Sequence, residues 1–492
     1  MQFDAICDAL ARLERDNAVN EINLQGFELW PLIRFCIWAE LIRPTSAIPR
    51  DGVGRPNSGR RIGAYLIQAF HITSRLAPRA HPGVTSLFIS HPINLQVLPS
   101  AGLWFDRIVD PLYFLARNRE RVEKLYVAPV IQGADLYFPA RYLRPMRPVL
   151  TEGYSSLRNR LVDLYQQAGL PPSSVDVGFA RAWKRFARWH RHASKFFDAS
   201  PDLRKVYLSN WYFPEMMGLI AAARDRGILT IDVQHGKQGR YQSMYSWWTC
   251  IPHEGYRLLP DHFWCWGRPS CEHILASSPD RKRHRPIAGG FPWPDFYRRF
   301  LSRETPSSID DAKESRRVLV TLQGPVSGHL EPIPDFIINH LRSDASLGDV
   351  FVFRGHPNFT QSKAYCEQRL HDVPPERYAI DDGRPNLYDE LLRSTHHITA
   401  FSSCCYEAEM FGVPTLLFGS EAYAIYEEEI KALRFTWTAG EQSELVQWLA
   451  EAPGPSESAQ KVAEPYIVSA LSQADSLMQS LGQTGTRGKS EE

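Results

Sequence analysis

The sequence predicts an α/β protein with two facing, doubly wound, Rossmann-like domains and a helical N-terminal arm. Three observations predict it. Short apolar runs alternate with helix-period segments in both halves of the chain, the pattern of parallel strands joined by crossover helices. Several runs end in loops carrying Gly, His or Ser, where open parallel sheets bind ligands. The length of 492 residues exceeds one ordinary core, so two or three domains are expected.

Charge is nearly balanced, Lys+Arg 56 against Asp+Glu 55, which leaves no global basic footprint for nucleic acid. Eight cysteines (7, 36, 250, 265, 271, 366, 404 and 405) include no CxxC pair and no zinc spacing. The start of the chain lacks a basic n-region and an apolar h-region, and no apolar run approaches ~20 residues. The expected setting is cytoplasmic, with peripheral contact at the inner membrane face as an option.

Residues 1–60 read as the helical arm and a loop: Ile6, Leu10 and Leu13 recur at helical spacing, Trp30 to Trp38 is a second apolar segment, and 46–61 are rich in Pro, Gly, Ser and Arg. The first domain spans 61–300, opening with the strand Thr85 to Ser90 and the loop His91-Pro92. Asp106 and Asp110 follow; Asp106 is an acceptor-side candidate, because a carboxylate beside a cleft can deprotonate a hydroxyl. Residues 178–197 predict a basic aromatic helix with Phe179, Trp183 and Phe186 on one stripe, fit either to lie on an anionic bilayer or to pack inward. The βαβ unit 205–233 then delivers Asp232 and the loop Gln234-His235-Gly236-Lys237 to a strand's carboxyl end. Asp232 and His235 are the catalytic candidates, and Lys237 could meet phosphate charge.

A linker is expected at 301–315 and a second domain at 316–440. Its first strand feeds Gln323-Gly324, and its second feeds Arg354-Gly355-His356-Pro357. Next come a helix from Asn386 and a strand His397 to Ala400. Ser402 and Ser403 can cap a helix running to Phe411, which Gly412 ends before the strand Thr415 to Phe418. Serine hydroxyls and free backbone N–H groups just beyond a strand have the chemistry of a phosphate cradle. Helices at 441–481 follow, one of which could return to the first domain, and 482–492 read as a disordered tail.

Glu407-Ala408 followed by Gly412-Val413-Pro414 resembles the Glu-Ala-x-x-x-Gly-x-Pro signature of the donor domain in GT-B glycosyltransferases. Ser402-Ser403 and His356-Pro357 resemble the Ser-Ser and His-Pro motifs of the bacterial branch that uses CMP-activated sialic acid or Kdo. The loop at His235 resembles one in bacterial surface-polysaccharide transferases and, more loosely, that of polyol-phosphate transferases using CDP-glycerol. The resemblance covers roughly 205–430. It implies a metal-independent, inverting glycosyltransferase, without cofactor, moving a sugar from a nucleotide donor (best guess CMP-Kdo) to a capsule- or lipopolysaccharide-type glycan or lipid-linked acceptor. It further implies that Gln323, Gly324, Arg354, His356 and Pro357 line the donor phosphate or sugar, that Glu407 holds the ribose, and that His235 is the general base or polarises the acceptor. Asp381-Asp382-Gly383 lies in the wrong domain for that branch's catalytic acid and is expected to form a turn. The alternatives are a CDP-glycerol or CDP-ribitol polyol-phosphate transferase and a catalytically silent GT-B glycan-binding module.

Overall fold

The computed structural model describes residues 3–42, 79–98, 102–127, 135–136, 141–142, 154–240, 242–276, 278–279, 281–302, 316–323, 331–356, 359, 361–381, 386–452, 455 and 471–484. Gly324, Pro357, Asp382, Gly383, the loop 46–61, most of the expected linker and the end of the tail lie outside the described residues.

Two all-parallel sheets carry the fold. The first has seven strands in the spatial order Arg285–Ala288, His262–Cys265, Leu229–Val233, Lys205–Leu208, Ser86–Ser90, Val122–Tyr126 and Arg141–Tyr142. The second has six: Tyr378–Asp381, Asp349–Arg354, Arg316–Thr321, His396–Thr399, Thr415–Phe418 and Thr436–Thr438. Counted along the chain, the second order is 3-2-1-4-5-6, that of a dinucleotide-binding sheet. The strands His396–Thr399 and Thr415–Phe418 are buried at every position, as helices on both faces require. In each sheet the winding reverses beside the first strand, leaving a crevice between the carboxyl ends of two neighbours. Those two crevices position the site.

The N-terminal arm packs on the first domain. Helices Phe3–Asp16 and Trp30–Leu41 flank a two-stranded hairpin whose turn, Gln25 and Gly26, has φ of 53° and 80°, the left-handed pair that tight hairpins need. The arm joins the first core cluster with the helices Ala180–Asp198 and Pro214–Arg224. Arg34 is wholly buried in it. Its guanidinium pairs with Glu14, donates to the Ser243 and Ser246 carbonyls, and lies 4.5 Å from the Trp248 ring.

The basic aromatic helix packs inward. Phe179, Trp183, Phe186 and Trp189 are buried, with Phe27 edge-on to Phe186 at 5.0 Å, so its apolar stripe is not free to enter a bilayer. The C-terminal helix Leu471–Thr484 returns to the first domain. Asp475 pairs with Arg119, and the Leu471 N–H donates to Asp295 at 3.1 Å. Among the described residues no helix is long and apolar enough to cross a membrane.

Candidate functional site

Three loops of the second sheet meet at its crevice. Strand Arg316–Thr321 leads to Gln323, strand Asp349–Arg354 to His356, and strand His396–Thr399 to Ser402 and Ser403. The helix after the serines, Cys404–Met410, stops one residue short of Phe411, whose φ/ψ have left the helical range. Ser403 at its N-cap makes no side-chain capping bond, contrary to the expectation that both serines cap it. The Cys404 N–H donates to Ser402 Oγ at 3.3 Å, and Gly412 ends the helix at φ 77°.

Gln323, His356, Ser402 and Ser403 line an open cleft of about 300 Å³, and Lys237 and Gly239 of the first domain close it. Burial lowers the pKa of His356, so near neutrality its imidazole is uncharged and can offer one N–H. Arg354 is paired with Asp381 at the next strand's end, so its charge is already matched. Lys237 is likewise engaged. Its ammonium donates to the Ile425 carbonyl at 2.6 Å, pairs with Glu429 at 2.8 Å and sits 4.3 Å from the Tyr426 ring centre, bridging the two domains.

Glu407 lies one turn inside the serine helix and is almost fully buried. Its Oε1 accepts from Tyr388 Oη at 3.1 Å and pairs with Arg107 of the first domain. Burial alone would lower the Arg107 pKa; the Glu407 carboxylate beside it raises it on balance. Arg107 also donates to the His235 carbonyl at 3.2 Å, so one guanidinium ties Glu407 to the His235 loop.

His235 Nε2 is 3.2 Å from Tyr212 Oη. Tyr212 follows Asn210, which takes φ 57° at the first sheet's crevice. Burial, then Arg107 and His91, pull the His235 pKa down to about 3, so the ring is neutral near neutrality. Its Nδ1 and Glu407 Oε2 are both shielded from solvent and have no hydrogen-bond partner among the described residues.

Of the sequence candidates, His235, Glu407 and Arg354 do not line this cleft, and Asp232 and Asp106 are turned away from it altogether. Asp232 is completely buried and accepts from the Trp211 N–H at 3.0 Å and Tyr245 Oη at 2.8 Å. Burial pushes its carboxyl up to about 8 despite those two bonds, and its place suits holding the Tyr212 and Tyr245 loops rather than touching substrate. Asp106 is also fully buried. It accepts from Ser90 Oγ at 2.7 Å and from the Ile108 and Val109 N–H groups at 2.9 and 3.2 Å, so it shapes the turn that presents Arg107. Asp110 is buried too, 2.5 Å from Lys124 Nζ. Among the described residues no group of three or more His, Cys, Asp or Glu is placed to hold a metal ion.

No protein-family model matches this sequence, and no curated protein does. Solved structures do. A putative UDP-N-acetylglucosamine 2-epimerase from Listeria monocytogenes aligns over 82% of this chain and 96% of its own, at 14% identity and TM-score 0.50. A second UDP-N-acetylglucosamine 2-epimerase aligns over 84% and 99%, at 12% identity and the same TM-score of 0.50. This chain has the GT-B fold. At such identity the likeness establishes the fold alone. The wall teichoic acid polymerase TagF with CDPG overlaps more loosely, at TM-score 0.44, 12% identity and coverage of 88% and 100%.

The GT-B cleft thus gathers Gln323, His356, Ser402, Ser403 and Lys237 on one wall system, with Glu407 and His235 behind it. Arg107 and Tyr212 were not among the sequence candidates. The left-handed Asn210 leaves no sequence signature, and nothing local to Arg107, between Asp106 and Asp110 in the sequence, marks it.

Proposed function

We propose that this GT-B chain is a glycosyltransferase using a nucleotide-activated sugar. The reading rests on one observation: Gln323, His356, Ser402 and Ser403 converge from three strand ends on a cleft that the other domain closes. The donor's phosphate lies against the two serine hydroxyls and the His356 N–H, which offset its charge as the sugar departs. No metal is required in this scheme. Glu407 accepts from the ribose hydroxyls through Oε2, which lies shielded behind the cleft and must be uncovered as the donor binds. An acceptor hydroxyl enters from the His235 side. Its oxygen bonds to the anomeric carbon as the bond to phosphate breaks, its proton passes to His235, and a single displacement inverts the anomeric centre. Tyr212 orients the imidazole, and Asp232 holds the Tyr212 loop.

The best-supported donor is a CMP-sugar such as CMP-Kdo, on the Ser-Ser and His-Pro motifs, with a bacterial surface glycan or lipid-linked saccharide as acceptor. Two observations favour other readings. The Gln234-His235-Gly236 loop suits a CDP-polyol transferase. The likeness to UDP-N-acetylglucosamine 2-epimerases suits a UDP-sugar enzyme with no acceptor.

Calorimetric titration with CMP, CDP, UDP and GDP tests the reading. Preferential CMP binding, followed by turnover of CMP-Kdo or CMP-sialic acid, supports it. A CDP preference moves the assignment to polyol-phosphate transfer. UDP binding with inversion at C2 of the free nucleotide sugar moves it to epimerisation. Binding of none leaves a silent glycan-binding module and overturns the proposal.

A further inference from the structure

The outer face of the helix Ala180–Asp198 carries a strip of cations. Arg181, Lys184, Arg185, Arg188, Arg191 and Lys195 are all exposed, and at 100° per residue they fall within an arc of roughly 120°. The opposite side, with Trp183, Phe186 and Trp189, is core. The strip runs about 21 Å along the helix axis at 1.5 Å per residue. No acid occurs in the sequence between Asp176 and Asp198. Arg185 pairs with Glu215 at 2.6 Å, and Asp198 at the helix end is held by Arg226. Among the described residues the other five cations have no carboxylate partner. Since the whole chain carries only +1, this is segregated charge rather than general basicity.

Two exposed aliphatic side chains lie at the amino end of the strip. Val177 and Ile42 are 54% and 40% exposed, in segments brought together where Gly178 packs against the Glu40 side chain. Long cationic side chains in a row, flanked by exposed aliphatics, complement the phosphates and shallow acyl region of an anionic bilayer. The surface is the convex side of one helix with its aromatic rings turned inward, so it offers a nucleic acid no ring on which a base could stack.

We propose that this face docks the protein on an anionic lipid surface, with the cations of helix Ala180–Asp198 at the headgroups and Val177 and Ile42 reaching the boundary beneath. The contact differs from insertion of the aromatic stripe, which the fold has already buried. It rests on no assignment of the cleft and would hold for any of the nucleotide readings.

Sedimentation of the full chain with sucrose-loaded vesicles tests it. One vesicle is phosphatidylcholine alone, the other equal parts phosphatidylcholine and phosphatidylglycerol. The protein is expected to partition onto the anionic vesicles at low salt and to leave them as salt shortens the Debye length. The triple variant Lys184→Gln, Arg188→Gln, Arg191→Gln is expected to bind roughly 100-fold more weakly, about fivefold per cation removed. Its near-UV circular dichroism should match wild type, because all three side chains face solvent. Val177→Asp should weaken binding several-fold while the preference for anionic lipid persists. Failure of the wild type to bind anionic vesicles at low salt overturns the proposal. So does unchanged binding by a folded triple variant. Retention on soluble polyphosphate through the same three residues, with vesicles ignored, would assign the face to a soluble polyanion and overturn it equally.

Discussion

The ion pair between Arg107 and Glu407 joins the two domains directly behind the cleft, and a double-mutant cycle measures what it holds. Glu407 is 1% exposed at its side chain and Arg107 15%, so solvent screens the pair weakly. Removing one partner of a buried pair costs about 3–5 kcal/mol, chiefly because the other charge is left unmatched. The partial exposure of Arg107 places Glu407→Leu near the lower end, about 3 kcal/mol, with about 1 kcal/mol more for the orphaned Tyr388 hydroxyl. Arg107→Met leaves Glu407 with Tyr388 alone and should cost a similar amount. The double variant leaves no unmatched charge and should be destabilised by about 2 kcal/mol less than the sum of the single variants. Urea unfolding followed by tryptophan fluorescence and circular dichroism gives the midpoints. Because the pair is interdomain, each single variant should also split the transition into two steps. Additive effects, with one unsplit transition throughout, would refute the claim that this pair couples the domains.

Other outcomes follow from buried groups elsewhere. Arg34→Met removes the counter-charge of Glu14, which keeps only the Trp30 indole and the Thr249 N–H and hydroxyl as donors. It should cost about 3 kcal/mol, read as a lower urea midpoint and faster proteolysis of the N-terminal arm. His397 is fully buried between the Thr321 and Thr415 hydroxyls at 2.9 and 3.0 Å, and burial lowers its pKa to about 3. The unfolded chain therefore takes up a proton near pH 6.5 that the folded state refuses, so this stability is present above that pH and is lost as pH falls toward 3. Relative to His397→Gln, the wild type should lose about 2 kcal/mol more between pH 7 and pH 5 in denaturant titrations. An equal loss in both proteins would contradict a neutral, buried His397.

Much of the fold was legible because parallel strands buried on both faces leave short apolar runs. Thr415–Phe418 has the bounds expected from sequence, and His396–Thr399 is shifted by one residue. The loops of the second sheet were legible for a related reason: Gly, His and Ser stand out where such runs stop. What was lost is tertiary. Arg107 meets a carboxylate 300 positions away, and no local pattern carries that. Asp106 and Asp232 look like cleft acids because they sit at strand ends. Donors two to three residues on, or from another loop, turn each inward as a structural acceptor. The basic aromatic helix has a period that fits a membrane or a core equally well. Only the packing of Phe27 and the helix Pro214–Arg224 against it decides which face is free.

The central claim is that phosphate is held at Ser402 and Ser403 while His235 serves the acceptor. Its most direct test compares two variants by calorimetry and turnover with the tightest nucleotide of the panel. The paired variant Ser402→Ala, Ser403→Ala should weaken nucleotide binding roughly tenfold or more, the scale of lost hydrogen bonds to a charged group. His235→Ala should bind the nucleotide as wild type does and turn over no sugar donor. Equal loss of nucleotide affinity in the two variants, or wild-type affinity in the serine variant, would contradict this division of the site.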